Sequence, residues 1–257
     1  MKHLFILILA CLSFAANAQS KRAHRIDSLR NALLTAKEDT EKVEILIKLG
    51  HNLRFSKPDE TIKYATEATE LAQTLDDQKG LANAYNELGN IYNTQGKYFK
   101  ALKKHNHALK IRKTIGDKQG EGGSLCNIGL VYRNIGRYKK AMEYYNNAKA
   151  ILQEIDYKPF LAQTIINIAA LDMKKEDYTN AVDCYKQAFD LYKALYNNKG
   201  MANASNGLSW AHFERHEYDD AGTFAIQGLA FANEAKYTAG IKYANNMLDK
   251  IHAITKK

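Results

Sequence analysis

LANAYNELGNIYNTQGKYFKALKKHNHALKIRKTIGDKQG, residues 81–120, holds the pattern on which the fold turns. From Leu81 to Thr94 the residues Leu81, Ala84, Tyr85, Leu88, Ile91 and Tyr92 recur at steps of three and four, the stripe of an α-helix. Gln95-Gly96-Lys97 breaks it, and Tyr98, Ala101, Leu102, Ala108 and Ile111 mark a second stripe. The stretch reads as a helical hairpin. Small residues at Gly89 and Ala101 let the two helices approach closely, Tyr98 fills the space beside them, and Gly116-Asp117-Lys118-Gln119-Gly120 turns the chain onward.

Outward from this hairpin the same residues return every 40 positions, the mark of a repeat architecture. Gly80, Gly120, Gly200 and Gly240 form one column, with Phe160 in the vacant place. Tyr98, Tyr138, Tyr178 and Tyr218 form a second; Ala101, Ala141, Ala181 and Ala221 a third; Ala68, Ala108, Ala148, Ala188 and Gly228 a fourth. Leu88, Ile128, Ile168, Leu208 and Leu248 make an aliphatic column, followed by a small one of Gly89, Gly129, Ala169 and Ser209.

Leu88-Gly89, Tyr92, Gly96, Tyr98, Ala101 and Ala108, repeated as Ile128-Gly129, Tyr132, Gly136, Tyr138, Ala141 and Ala148, resemble the tetratricopeptide repeat. The variant is the one whose longer second helix stretches the period to 40 from about 34 residues. Departures grow toward the C-terminus: Asp172 and His212 replace the first-helix tyrosine, Ser209 the glycine, and Ala225 the aromatic present as Tyr145 and Tyr185. In the first unit Leu49-Gly50 sits one residue off register and Ser56-Lys57-Pro58-Asp59 replaces the glycine-containing turn, but Ile62, Ala65, Ala68 and Leu71 keep the second-helix stripe. The resemblance implies an all-α fold, a right-handed α-α superhelical solenoid. Its five hairpins are expected at 40–79, 80–119, 120–159, 160–199 and 200–239. Helical caps at 19–39 and 240–257 would cover the end repeats, because a solenoid unit touches only its neighbours. Ile26, Leu29 and Leu33 supply the apolar face of the first cap.

Ahead of the repeats, Lys2, the apolar run Leu4 to Leu12 and Ala16-Asn17-Ala18 before Gln19 have the layout of a cleavable secretory signal, residues 1–18. A periplasmic or secreted protein is expected, cut after Ala18; a lipidated Cys11 would leave an unusually short apolar core. The 257 residues carry a formal charge of +9, only two prolines and 46% hydrophobic residues, which excludes collagen-like, proline-rich and disordered classes. Beyond the leader only Cys126 and Cys184 remain, on elements that should not be neighbours, so free thiols are expected.

The resemblance also implies that first helices line the inside of the curve. Their residues not used in packing are then candidate ligand contacts: Asn83, Asn86, Asn90 and Asn93; Asn127, Arg133 and Asn134; Gln163, Asn167 and Lys174; Asn203, Asn206, Trp210 and Phe213. Carboxamides offer both donors and acceptors to the main chain of an extended peptide, and Arg133 and Lys174 could grip a carboxylate. Asparagine is a mediocre helix former, so four on one helix face call for another reason. Trp210 and Phe213 read either as an aromatic anchor or as packing against the terminal helix. No catalytic residues, metal or cofactor are expected. His212-Phe213-Glu214-Arg215-His216 lacks the His-Glu-x-x-His zinc spacing, His105 sits in an aromatic packing column, and Gly120-x-Gly122-Gly123 opens a helix with no strand before it.

Charge is uneven: Lys97 to Lys118 holds eight bases and one acid, Asp59 to Asp77 six acids and one base. Mutual attraction between adjacent second helices explains this without a ligand; an anionic surface as partner is the sharper reading. Export argues against nucleic acid. The function expected is a non-enzymatic scaffold that binds a peptide or protein segment in its groove. Similarity to periplasmic sensor regions of membrane histidine kinases implies the alternative, a detached sensor docking on a membrane receptor. A metal-dependent hydrolase ranks third.

Overall fold

A computed structural model describes residues 22–256; the expected leader at 1–18 lies outside them. Among the described residues there are twelve helices and no strand. The chain divides into two compact units at Gly116/Asp117. The first holds α1 (residues 22–35), α2 (Thr40–Leu53), α3 (Pro58–Thr74), α4 (Gln78–Thr94) and α5 (Tyr98–Thr114). The second holds α6 (Lys118–Asn134), α7 (Tyr138–Glu154), α8 (Lys158–Lys174), α9 (Tyr178–Ala194), α10 (Asn198–Glu214), α11 (Tyr218–Glu234) and α12 (Thr238–Thr255).

Within each unit every helix from α2 onward packs on the next one in sequence, and alternate helices also touch: α2 with α4, then α6 with α8, α8 with α10 and α10 with α12. Hairpins stacked through their first helices are the α-α superhelical class of fold. α1 is tied to the first hairpin by Arg30, whose guanidinium donates to Glu60 at 2.8 Å, and by Arg22, which donates to the Asn52 carbonyl.

Helices α3 to α11 are each 17 residues long, and each connection is three residues. The turn is the same every time. The Gly96 N–H donates to the Asn93 carbonyl at 3.1 Å and the Lys97 N–H to the Tyr92 carbonyl at 2.8 Å, a left-handed residue closing the helix. Only Gly96, Gly116 and Gly136 meet that demand with glycine; Asp76, Asp156, Glu176, Tyr196, His216 and Lys236 hold the same positive φ with a side chain attached.

The 40-step glycine column has a different cause. Gly80, Gly120 and Gly200 are not in turns, as the reading of 116–120 expected; they lie in the first turn of α4, α6 and α10. Their N–H groups donate to the side chains of Asp77, Asp117 and Asn197 at 2.9, 2.8 and 2.9 Å, which caps each first helix. The site is also crowded: a Cβ on Gly200 would lie 2.2 Å from the Tyr192 ring.

The core follows the columns. Ala101, Ala141, Ala181 and Ala221, and Ala68, Ala108, Ala148 and Ala188, are fully buried, as are Ile128, Ala169 and Ser209. Close approach within a hairpin is visible at Gly129, where a Cβ would sit 2.7 Å from the Tyr145 ring, and at Gly89, where it would sit 2.5 Å from the His105 ring. Ser209 adds a hydroxyl bond to the Ala221 carbonyl at 2.7 Å.

A charged group is buried in the first unit. Glu87 on α4 is 3% exposed and receives both Nε and Nη2 of Arg54, each at 2.9 Å. Burial works against its charge, but His51 and the Arg54 fork outweigh it and hold the carboxyl below its ordinary range. His105 on α5 has the opposite balance: burial and then Arg112 push its pKa down to about 3, with Glu87 opposing.

These features generate three expectations. Glu176→Gly relieves an exposed left-handed residue and should raise stability by about 1 kcal/mol, seen as a higher denaturation midpoint at unchanged slope. Gly129→Val drives a branched side chain into Tyr145 and should lower stability by about 1–3 kcal/mol. The unfolded chain protonates His105 near pH 6.5 whereas the folded chain resists until about 3, so its contribution is complete above 6.5 and lost on acidification. His105→Tyr, which copies Tyr145 and Tyr185, should therefore flatten the decline in unfolding free energy between pH 6.5 and 5; parallel profiles would refute the assignment.

Candidate functional site

The amide row is a property of one helix. On α4, Asn83, Asn86, Asn90 and Asn93 are spaced by three and four residues and all are half-buried. The Asn83 carboxamide oxygen accepts from Arg112 on α5 at 2.8 Å. Asn86 and Asn93 also make contacts, whereas Asn90 has no side-chain hydrogen bond among the described residues. A glutamate, Glu87, sits within the same row but is turned inward onto Arg54.

In the second unit the corresponding register is mixed. On α6 Asn127 and Arg133 are half-buried and Asn134 exposed, while Cys126 and Leu130, at the places of Asn86 and Asn90, are buried and half-buried. Arg133 reaches Asn167 on α8 at 3.4 Å, so these two expected contacts come together. Asn167, however, is buried, and its amide nitrogen donates to the Cys126 sulfur at 3.5 Å. Gln163 is exposed and accepts from the Tyr192 hydroxyl at 3.4 Å; Lys174 is exposed with no carboxylate within salt-bridge distance among the described residues.

On α10, Asn203 is half-buried, but Asn206 is buried and donates to the Gly240 carbonyl at 3.2 Å. Gly228 leaves the room for it, since a Cβ there would lie 2.3 Å from the Asn206 side-chain oxygen. Trp210 and Phe213 pack on the cluster of Ala221, Ala225, Met247 and Ile251 that joins α10, α11 and α12, and the indole N–H donates to Glu214 at 2.9 Å. Asn167 and Asn206 are thus corrected from surface to interior, and the two aromatics take the packing role. Buried amides need internal partners, and neighbouring helices supply them here.

Among the described residues both cysteines are free, Cys126 buried on α6 and Cys184 half-buried on α9. Burial raises both thiols, which keeps them protonated and poorly nucleophilic.

Two interactions escaped the sequence reading. Lysines of second helices lie over first-helix tyrosines: Lys104 over Tyr85 at 4.7 Å, Lys100 over Tyr92 at 5.7 Å, and Lys140 over Tyr132 at 5.4 Å. The expected attraction between the acidic and basic second helices is also not what pairs their charges. Glu60 of α3 goes to Arg30 and Lys57, while Lys97, Lys100, Lys103, Lys104 and Lys110 have no carboxylate within salt-bridge distance among the described residues. Burial and the neighbouring Lys103 lower the pKa of Lys104, a sign of a locally crowded positive surface.

The comparisons agree with this architecture. No curated protein matches the sequence. Among solved structures, BtubC (BKLC) from P. vanneervenii is similar at 17% identity and a TM-score of 0.66, over 85% of this chain and 91% of that one. A Rap protein in complex with Competence and Sporulation Factor matches at 17% identity and a TM-score of 0.68, over 92% of this chain and 71% of that one. The signal-transduction ATPase with a tetratricopeptide repeat sensor from Pyrococcus horikoshii matches at 19% identity and a TM-score of 0.71, over 93% of this chain but 37% of its own length. These identities speak to the fold alone. The family profile described as tetratricopeptide repeat matches residues 41–114, 80–154 and 160–234, most of the sequence, and the chain belongs to the tetratricopeptide repeat family.

Proposed function

We propose that the chain is a non-enzymatic scaffold, exported by its N-terminal leader, that binds an extended peptide or protein segment along its first helices. The observation that carries the reading is the row of four half-buried carboxamides on α4. Asn83, Asn86, Asn90 and Asn93 recur along one side of a helix whose other sides are taken up by Leu81, Ala84, Leu88 and Ile91. An amide can donate to a carbonyl and accept from an N–H, so such a row suits a main chain of any sequence. The Rap structure, which holds Competence and Sporulation Factor on a fold of this class, supports the reading.

Arg133 and Lys174 add positive charge in the second unit, which favours a segment carrying a carboxylate. The sensor alternative uses the same row, with a receptor segment as the bound chain.

Panning a random peptide library on the protein and on an Asn86→Ala/Asn90→Ala/Asn93→Ala variant tests this. Alanine favours helix, so helicity should hold. Peptides enriched on the parent should bind the variant at least tenfold more weakly. Equal binding would remove α4 from the site.

A further inference from the structure

We propose that His212, Glu217 and Asp220 form a divalent-metal site at the turn between α10 and α11, a site independent of peptide binding. His212 lies in the last turn of α10, Glu217 stands immediately before α11 with no side-chain bond to its first turn, and Asp220 lies in the first turn of α11. One imidazole nitrogen and one oxygen from each carboxylate all fall within 4.8 Å of one another.

The comparison with earlier hairpins gives the arrangement its meaning. At the positions of 212, 217 and 220, the second hairpin has Tyr92, Lys97 and Lys100, and the third has Tyr132, Arg137 and Lys140. In both, the lysine ammonium rests over the tyrosine ring, so a cation occupies this corner of the hairpin. The fourth hairpin, with Asp172, Asp177 and Asn180, lacks both the ring and the lysine. In the fifth, the ring has become a ligating imidazole and both cationic positions have become carboxylates. A corner that elsewhere carries its own positive charge now has a donor set for one.

The imidazole is held ready. His212 is 8% exposed and its ring stacks on Phe224, centroids 5.1 Å apart and 19° from parallel. Its Nδ1 is 2.6 Å from Glu217 Oε2, and its Nε2 is buried without a partner. Arg215 holds the other Glu217 oxygen at 2.8 Å, which leaves Oε2 as the ligand atom. Asp220 is exposed and able to swing in.

Metal binding at Nδ1 exchanges the Nδ1···Oε2 hydrogen bond for two metal bonds. The hydrogen-bonded proton leaves Nδ1, whose lone pair goes to the metal, and the neutral ring carries its single proton on Nε2 instead. One nitrogen and two oxygens suit zinc, and three protein ligands leave at least one position to water.

The test is calorimetric titration of the full chain, freed of metal by chelator, with zinc chloride, and with magnesium chloride as control. One equivalent of zinc should bind and raise the melting temperature, and magnesium should do neither. Asp220→Asn should weaken zinc binding at least tenfold. His212→Tyr/Asp220→Lys, which restores the tyrosine and lysine of the third hairpin's corner, should abolish it while the metal-free melting temperature and helicity are retained. A parent that binds no zinc overturns the site, and so does an Asp220→Asn variant that binds as tightly as the parent.

Discussion

Once in every twenty residues from Asp76 to Lys236 the backbone turns left-handed, and this constraint sets everything else. Within each unit a fixed turn after a 17-residue helix repeats, so equivalent positions face equivalent neighbours. Glycine is the inexpensive way to make the turn, yet six of nine turns are made without it. The register of packed alanines and aliphatics downstream therefore outweighs a cost of roughly 1–2 kcal/mol at each such residue. Were one turn to relax, the helices it joins would lose the register between their packed columns.

Because the backbone repeats, differences between hairpins are differences in chemistry at equivalent places. The aromatic column reads His105, Tyr145 and Tyr185 and then shrinks to Ala225, while Phe224, one residue earlier, stacks on His212. The glycine that admits the aromatic ring persists at Gly89 and Gly129, whereas Ser209 uses its hydroxyl to bind the facing helix. Glu87 stands where Asn127 and Asn167 stand later, and it brings in Arg54 as counter-charge. A solenoid tolerates such changes because each repeat answers only to its neighbours.

The candidate ligand surface shows the same economy. First-helix positions not consumed by stacking are free to vary, and α4 fills them with amides while α10 fills them with Asn203, Asn206, Trp210 and Phe213. The amides of α4 remain half-buried, whereas Asn206 and the α10 aromatics are drawn into the packing with α11 and α12. The large side chains of α10 are used to seat α11 and α12.

The period of 40 residues, the pairing of helices and the identity of the buried columns were all written in the order of residues, because helical stripes and recurring small residues are local and periodic signals. What those signals could not carry was the destination of individual polar side chains. Asn86 and Asn206 occupy the same place in the 40-residue pattern, and only the stacked helices leave one half-buried and direct the other onto the Gly240 carbonyl. The same holds for Arg54 reaching Glu87 across 33 residues and for His212 meeting Glu217 and Asp220. Each depends on distances set by helices packed side by side, which no single stretch of sequence contains.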